Sequence, residues 1–368
     1  MMSVRWMGAL SAVFIAWAPM VVGAEVASKS PVEAAPDSRE TRAPWVVGAA
    51  LLNPMTRELF SHLRQLTPTV PEPRIESHNL NQDIQTFCSG TGVDTPDILG
   101  ISRRMGAAEF GLCVKNGVTD IVEVRIGLEA LVLVARRPET GFPLTFDTLF
   151  RAIAAELPAG DDFLPNSART WRDVDPKLPA TDIHVIIPSR ETSSRPFFNN
   201  RFLQGACREI AEYKNIFSAE ERVAACTTLR EDGRVIELGL PYTPAAVTEA
   251  LDRAPRGTIA VLSLRYAMEA ADKVEALPLE GVSPSRETVG SLEYPATRRL
   301  HYYIKRAHVK DYEGNGPIAG LREFITEATR ENAIGDSGYL VSQGLVPLPR
   351  EGRAEVRRAA LALTRMER

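Results

Sequence analysis

The stretch from Phe87 to Pro138, FCSGTGVDTPDILGISRRMGAAEFGLCVKNGVTDIVEVRIGLEALVLVARRP, constrains the fold more than any other part of the chain. Its two β-branched runs, Ile121 to Ile126 and Leu128 to Ala135, read as buried strands. Before them lie a buried strand expected over Thr95 to Gly100 and a helix over Ala107 to Asn116, stopped by Gly117. Strand, helix and strand in quick succession, with Gly and Pro between them, point to an α/β architecture.

The same alternation extends in both directions. Upstream, Trp45 to Leu52 reads as an apolar strand. Thr56 to Leu66 reads as a helix through the spacing of Leu59, Leu63 and Leu66, Arg74 to Ser77 as a short strand and Gln82 to Cys88 as a helix. Downstream, Thr145 to Leu157 is amphipathic, and Trp171 to Val174 caps a connecting loop. Ile183 to Ile187 reads as a strand leading to a helix that begins near Pro196, where proline is at home in the first turn. Ile259 to Leu264 and Arg299 to Ala307 read as strands, Tyr266 to Ala276 and Ile318 to Glu327 as helices. The last helix is expected over Arg350 to Arg368, with Leu361 and Leu363 facing inward. With 368 residues, 44% of them hydrophobic, the chain is long enough for two lobes with separate cores.

The N-terminus has the form of a secretory signal. Arg5 gives the positive start, Met7 to Val22 the apolar run, and Val22-Gly23-Ala24 the small residues before a cut ahead of Glu25. A membrane anchor is the competing reading, but the run is short for a span of ~20 residues. No Cys follows Ala24, so no lipid attachment is indicated. Residues 25–43 are polar and non-periodic, a flexible leader. The chain is therefore expected to be exported. The compartment it would enter is oxidising and suits the four cysteines. Three pairings are open, of which Cys88–Cys113 and Cys207–Cys226 close short loops. Each would contribute about 3 kcal/mol in the chain-entropy picture. A zinc site would be the alternative, but the close Cys-x-x-Cys spacing is missing.

A net charge of −4 argues against a nucleic-acid partner. No nucleophile elbow, phosphate loop or His-Glu-x-x-His is present, and the five His are scattered, so neither an enzyme nor a bound metal or cofactor is expected.

The Phe87–Pro138 segment closely resembles the periplasmic phosphate-binding proteins that serve ABC importers. The resemblance continues through TWRDVDPKLPATDIHVIIPS, LREDGRVIEL, YPATRRLHYYIKRAHV and DSGYLVSQGLVPLP, and so covers roughly Val46 to Pro349. It implies a type II periplasmic binding fold, two α/β lobes joined by crossing strands with the ligand between them. On that pattern lobe one is 44–129 plus 281–368, and lobe two is 130–280. It also implies a monomer that acts in the periplasm and carries phosphate or a related oxyanion to a membrane ABC permease.

Such a family holds its anion with backbone N–H groups, hydroxyls and an Arg. Four segments of this chain correspond. Gly48 keeps the glycine of the first, but Ala49, Ala50 and Leu51 replace its three hydroxyl residues. Each lost bond to an ionised ligand is worth ~1.5–3 kcal/mol. In the second, Ser77 to Asp83 lacks the expected glycines; Asp83 would repel an anion if it faced the cleft, and otherwise complements a helix dipole. The third, Ser102-Arg103-Arg104, is retained, with Ser102 and Arg103 the candidate ligands. The fourth, Glu191 to Pro196, keeps Thr192, Ser193, Ser194 and Arg195 at a helix start but has Pro196 where the family has an Asp. The acids Asp173 and Asp175 read as structural. A relative that binds a different small ligand, or an interaction module that binds none, remains the alternative, because function lies in the site.

Overall fold

The computed structural model describes residues 42–139, 141–160, 162–192, 194–309 and 318–367. The expected signal peptide, most of the leader, and Ser193 lie outside the described residues.

The first strand, β1 (Trp45–Gly48), is buried except at its start and leads through a short 3-10 turn, Ala50–Leu52, into helix α1 (Asn53–Leu66). The strand is shorter than the Trp45–Leu52 expected, because Gly48 takes φ 134° and turns the chain. Pro54 occupies the first turn of α1, and Met55, Leu59, Phe60 and Leu63 form its buried stripe. Next come β2 (Arg74–Glu76), α2 (Leu80–Phe87), β3 (Ile98–Ile101) and α3 (Ala107–Lys115). The Asn79 side chain caps α2 by accepting from Gln82 N at 3.0 Å.

The two runs expected as separate strands form one, β4 (Ile121–Arg136), sixteen residues long. Gly127 does not break it. A Cβ there would lie 2.5 Å from Leu345 Cδ1 and 2.9 Å from Val346 O, so the glycine admits the chain that bridges to Leu128. After β4 come helix α4 (Phe146–Ile153), the hairpin β5 (Glu156–Ala159) and β6 (Asp162–Pro165), then β7 (Val185–Pro188) and β8 (Val235–Leu238). The amphipathic stretch expected to run to Leu157 thus ends at Ile153, and its tail is β5. Then follow β9 (Ile259–Ser263), β10 (Val274–Leu277) and β11 (Thr297–Lys305). The helix expected over Tyr266–Ala276 covers Leu264–Glu269 instead, and its last residues belong to β10. The final helix, Arg350–Leu361, buries Arg353 and Ala360; Leu361 and Leu363 are half-buried.

The strand order is β2-β1-β3-β11-β4-β9-β7-β8, with β10 also on β4. Parallel pairs β1–β2 and β1–β3 flank one end, and parallel pairs β7–β8 and β7–β9 the other. β4 crosses from one to the other. Its first part, Ile121 to Ala130, pairs antiparallel with β11, and its second part, from Leu131, with β9 and β10. The register with β11 shifts between Leu300 and His301, leaving Ile126 unpaired, a β-bulge that bends the crossing. The cores divide at the same place. One cluster spans Leu128 to Ala296 with Val346 and Leu348, and two others hold side chains from Val46 to Ile126 and from Leu300 to Met366. Both expected disulfides are present, Cys88–Cys113 between the ends of α2 and α3, and Cys207–Cys226 between β7 and β8. No helix among the described residues is long and apolar enough to cross a membrane.

Candidate functional site

All four candidate segments follow the carboxyl ends of parallel strands, β1, β2, β3 and β7, where open α/β sheets place ligands. The first is formed by backbone. A Cβ at Gly48 would lie 2.0 Å from Gly100 O, so only glycine permits β1 to close on β3, and Ala49 N donates to the same oxygen at 2.8 Å. The methyl and isobutyl groups of Ala49, Ala50 and Leu51 offer no donor beyond it.

The second segment folds back on itself. Asp83 is wholly buried and accepts from His78 N at 3.2 Å and faces His78 Nδ1 at 2.9 Å. Burial pushes its carboxyl up, and the bonds with His78 pull it part of the way back. Ser77 Oγ is held by Asn53 at 3.0 Å.

In the third segment Ser102 is half-buried directly after Ile101, which pairs with His301 of β11. Arg103 makes a forked contact with Glu109, Nη1 to Oε2 at 2.8 Å, on the half-exposed turn before α3. That contact pushes its guanidinium up. Arg104 pairs with Glu123 of β4 at 3.0 Å.

The fourth segment carries Thr192, whose hydroxyl donates to Ser189 O at 2.8 Å, and Arg195, which is 3% exposed. All three arms of Arg195 are occupied: Nε by Asn199 Oδ1 at 2.8 Å, Nη1 by Pro188 O at 2.9 Å, Nη2 by Glu237 Oε1 at 2.9 Å. Its charge is answered by an acid of β8. Ser194 differs, because its Oγ lies 3.5 Å from Arg298 Nη2.

Arg298 was not among the sequence candidates, nor was its partner Glu129. They face each other across β11 and β4, and Arg298 Nε donates to Glu129 Oε2 with both side chains almost wholly buried. The Arg298 guanidinium also lies over the Phe197 ring, 5.1 Å from its centre. Burial pushes the Glu129 carboxyl up, and Arg298 opposes it. A signal was available: Glu129 interrupts an otherwise apolar buried run, and a carboxylate there requires a partner. Close by on the crossing, His301 Nδ1 lies 3.2 Å from Glu123 Oε1, which Tyr303 also reaches at 2.8 Å. Burial pushes the His301 imidazole down. Burial would raise the Glu123 carboxyl, but bonds with His301, Arg104 and Tyr303 outweigh it and hold it at about 2.

Two surface pockets, of about 480 and 360 Å³, lie elsewhere, one on α1 and one beside the helix Leu264–Glu269; none of the candidate residues lines them. Among the described residues no group of His, Cys, Asp and Glu side chains is set to hold a metal ion.

Residues 46–332 match the family model of the PBP superfamily domain, PBP_like_2. The chain belongs to the PBP superfamily. Its sheet, divided by a shared crossing strand, is the two-lobe fold of that family, and the family consists of substrate-binding proteins rather than enzymes. Solved structures agree on the fold. A possible phosphate binding protein from Planctomyces limnophilus superposes with a TM-score of 0.61 at 16% identity, over 88% of this chain and 99% of that one. An ABC-type phosphate transport receptor from Vibrio cholerae gives 0.55 at 13%, over 82% and 99%. A putative phosphate ABC transporter substrate-binding protein from Clostridium perfringens, with bound phosphate, gives 0.52 at 15%, over 83% and 100%. A comparison with curated protein sequences found no significant match. The family expected from the motifs is therefore the family found.

Proposed function

We propose that this PBP-superfamily chain is an exported solute-binding protein that takes a small oxyanion, phosphate or a relative of it, between its two lobes and delivers it to a membrane ABC permease. On this reading it acts in the periplasm as a monomer, with lobe one formed by 44–129 and 281–368 and lobe two by 130–280. The division of the apolar core on either side of Gly127 supports the first boundary, whereas Val289, Tyr294 and Ala296 pack with the core of 130–280 and favour a second boundary nearer the start of β11.

The observation that carries the reading is the placement of the retained donors. The Gly48, Ser102 and Ser194 segments each follow the carboxyl end of a parallel strand, and Ser194 reaches a guanidinium on the crossing strand β11. Solved neighbours of the same fold are named as phosphate-binding, which favours an oxyanion. Ser102, Ser193 and Ser194 are assigned as hydroxyl donors and Gly48 as a backbone contact. Thr192, whose hydroxyl is spent on Ser189 O, and Arg103 and Arg195, whose charges are answered by Glu109 and Glu237, are assigned to holding the two loops rather than to the ligand contacts expected of them.

The affinity follows from the losses. Two or three hydroxyls absent at Ala49 to Leu51, at ~1.5–3 kcal/mol each, weaken a tight phosphate site by several orders of magnitude. Calorimetry on the mature protein with phosphate and sulfate is the test. Micromolar or weaker binding, reduced further by Ser102→Ala and Ser194→Ala, is expected. Nanomolar phosphate binding would show that the missing hydroxyls were overvalued, and binding untouched by both substitutions would place the site elsewhere.

A further inference from the structure

The buried pair on the crossing strands is incomplete. Arg298 touches Glu129 with Nε alone, and its Nη2 turns to Ser194. Glu129 Oε1 and Arg298 Nη1 are buried and have no hydrogen-bond partner. Side-chain exposures of 2% and 1% leave neither group to bulk water. Buried charged groups in folded proteins are normally satisfied, and an exception calls for a physical account. A molecule that satisfies both atoms must offer an acceptor to the guanidinium and a donor to the carboxylate.

The charges around the site point the same way. Arg103 is answered by Glu109, Arg195 by Glu237 and Arg298 by Glu129. No cation among these three is left over for a dianion, and Glu129 would repel one. A ligand with a positive group of its own turns that repulsion into attraction.

On the reading that the ligand lies between the lobes at Ser102 and Ser194, we infer that this ligand is a small zwitterion, an oxyanion bearing an ammonium group. Its oxyanion sits on Arg298 Nη1 and the Ser194 hydroxyl, and its ammonium on Glu129 Oε1. Carboxylate and phosphonate zwitterions share this chemistry.

Calorimetry on the mature protein separates the cases with five probes: inorganic phosphate, methylphosphonate, aminomethylphosphonate, acetate and glycine. The amino compound of at least one pair is expected to bind ten times or more tightly than its amino-free partner, and more tightly than phosphate. Which pair shows the effect tells phosphonate from carboxylate. Glu129→Gln keeps the shape of the side chain and is expected to bring that ratio down toward one; circular dichroism checks that the variant is folded. If Glu129→Gln does not fold, the ratio on the unmodified protein decides alone. Phosphate bound as tightly as either zwitterion overturns the inference and leaves the oxyanion reading standing. A ratio unchanged in folded Glu129→Gln overturns the placement at Glu129. Silence from all five probes overturns both readings.

Discussion

Arg195→Ala tests whether the guanidinium of the fourth segment serves the fold or the ligand. The side chain is 4% exposed and gives one arm each to Asn199, Pro188 and Glu237. Asn199 is half-buried, so water replaces most of what it loses, and the other two losses are unequal. Glu237 is 35% exposed, so water takes over much of what it loses, and that part is worth at most about 1 kcal/mol. The carbonyl of Pro188, at the buried end of β7, loses a charged donor, which costs about 1–2 kcal/mol. Loss of the packed aliphatic stem adds about 1 kcal/mol. The expected destabilisation is therefore about 3 kcal/mol, roughly a hundredfold in the folded-to-unfolded ratio. Glu237→Gln removes only the exposed acid and is expected to cost less than about 1 kcal/mol. Urea unfolding followed by the fluorescence of Trp171, which is wholly buried in the same core, measures both. An Arg195→Ala protein as stable as the parent, but unable to bind any oxyanion, would refute this account and give Arg195 to the ligand.

Gly48→Ala forces a Cβ to within 2.0 Å of Gly100 O at φ 134°, so a loss of about 3 kcal/mol or more is expected in the same unfolding assay. Peptide mapping without reductant should recover Cys88–Cys113 and Cys207–Cys226. Replacing the second pair by Ala should cost about 2–4 kcal/mol. N-terminal sequencing of the exported protein should begin near Glu25; a chain beginning at Met1 or Met2 would remove the signal peptide from the account. The pH dependence has a definite sign. Glu123 titrates at about 2 when folded against 4.5 as an ordinary glutamate, so its contribution is present above about pH 4.5 and is lost as pH falls toward 2. Glu123→Gln should flatten the stability curve over that window, and equal slopes in both proteins would contradict the assignment.

The fold was legible wherever burial was continuous. Ile98 to Ile101, Val185 to Pro188 and Ile259 to Leu262 are apolar without a gap, and each is a strand. Sequence reading failed where distant chain decided the outcome. Gly127 reads as a break between two strands, yet the approach of Leu345 and Val346 makes it part of one. Val274 to Leu277 fits a helical spacing, but pairing with β4 makes it a strand. The site was less legible for the same reason. Hydroxyls and arginines could be located from their motifs, but Arg195 meets its acid 42 residues away and Arg298 meets Glu129 at a separation of 169. Whether an arginine is free for a ligand is a property of such pairings, and no local pattern carries it.

Those pairings also bear on what each arginine would contribute to recognition at the proposed site. Arg195 clamps the end of β7 to β8 and to Asn199, and Thr192 ties back to Ser189, so the loop that carries Ser194 is fixed before any ligand arrives. A fixed donor loses little freedom on binding, which offsets part of what the absent hydroxyls would have supplied. Arg103 does the same for the turn after β3 through Glu109. Preorganisation of this kind is indifferent to ligand charge, since each clamp is neutral. On the proposed reading, discrimination would fall to groups whose hydrogen-bonding capacity is unspent, among them Arg298 and Glu129 on the crossing strands. Because Ser194, on the loop after β7, meets Arg298 of β11, a solute held there would touch that loop and the crossing at once. A hinge at the crossing is the place where such a contact has leverage, so solute identity and lobe closure would be read by the same pair of side chains.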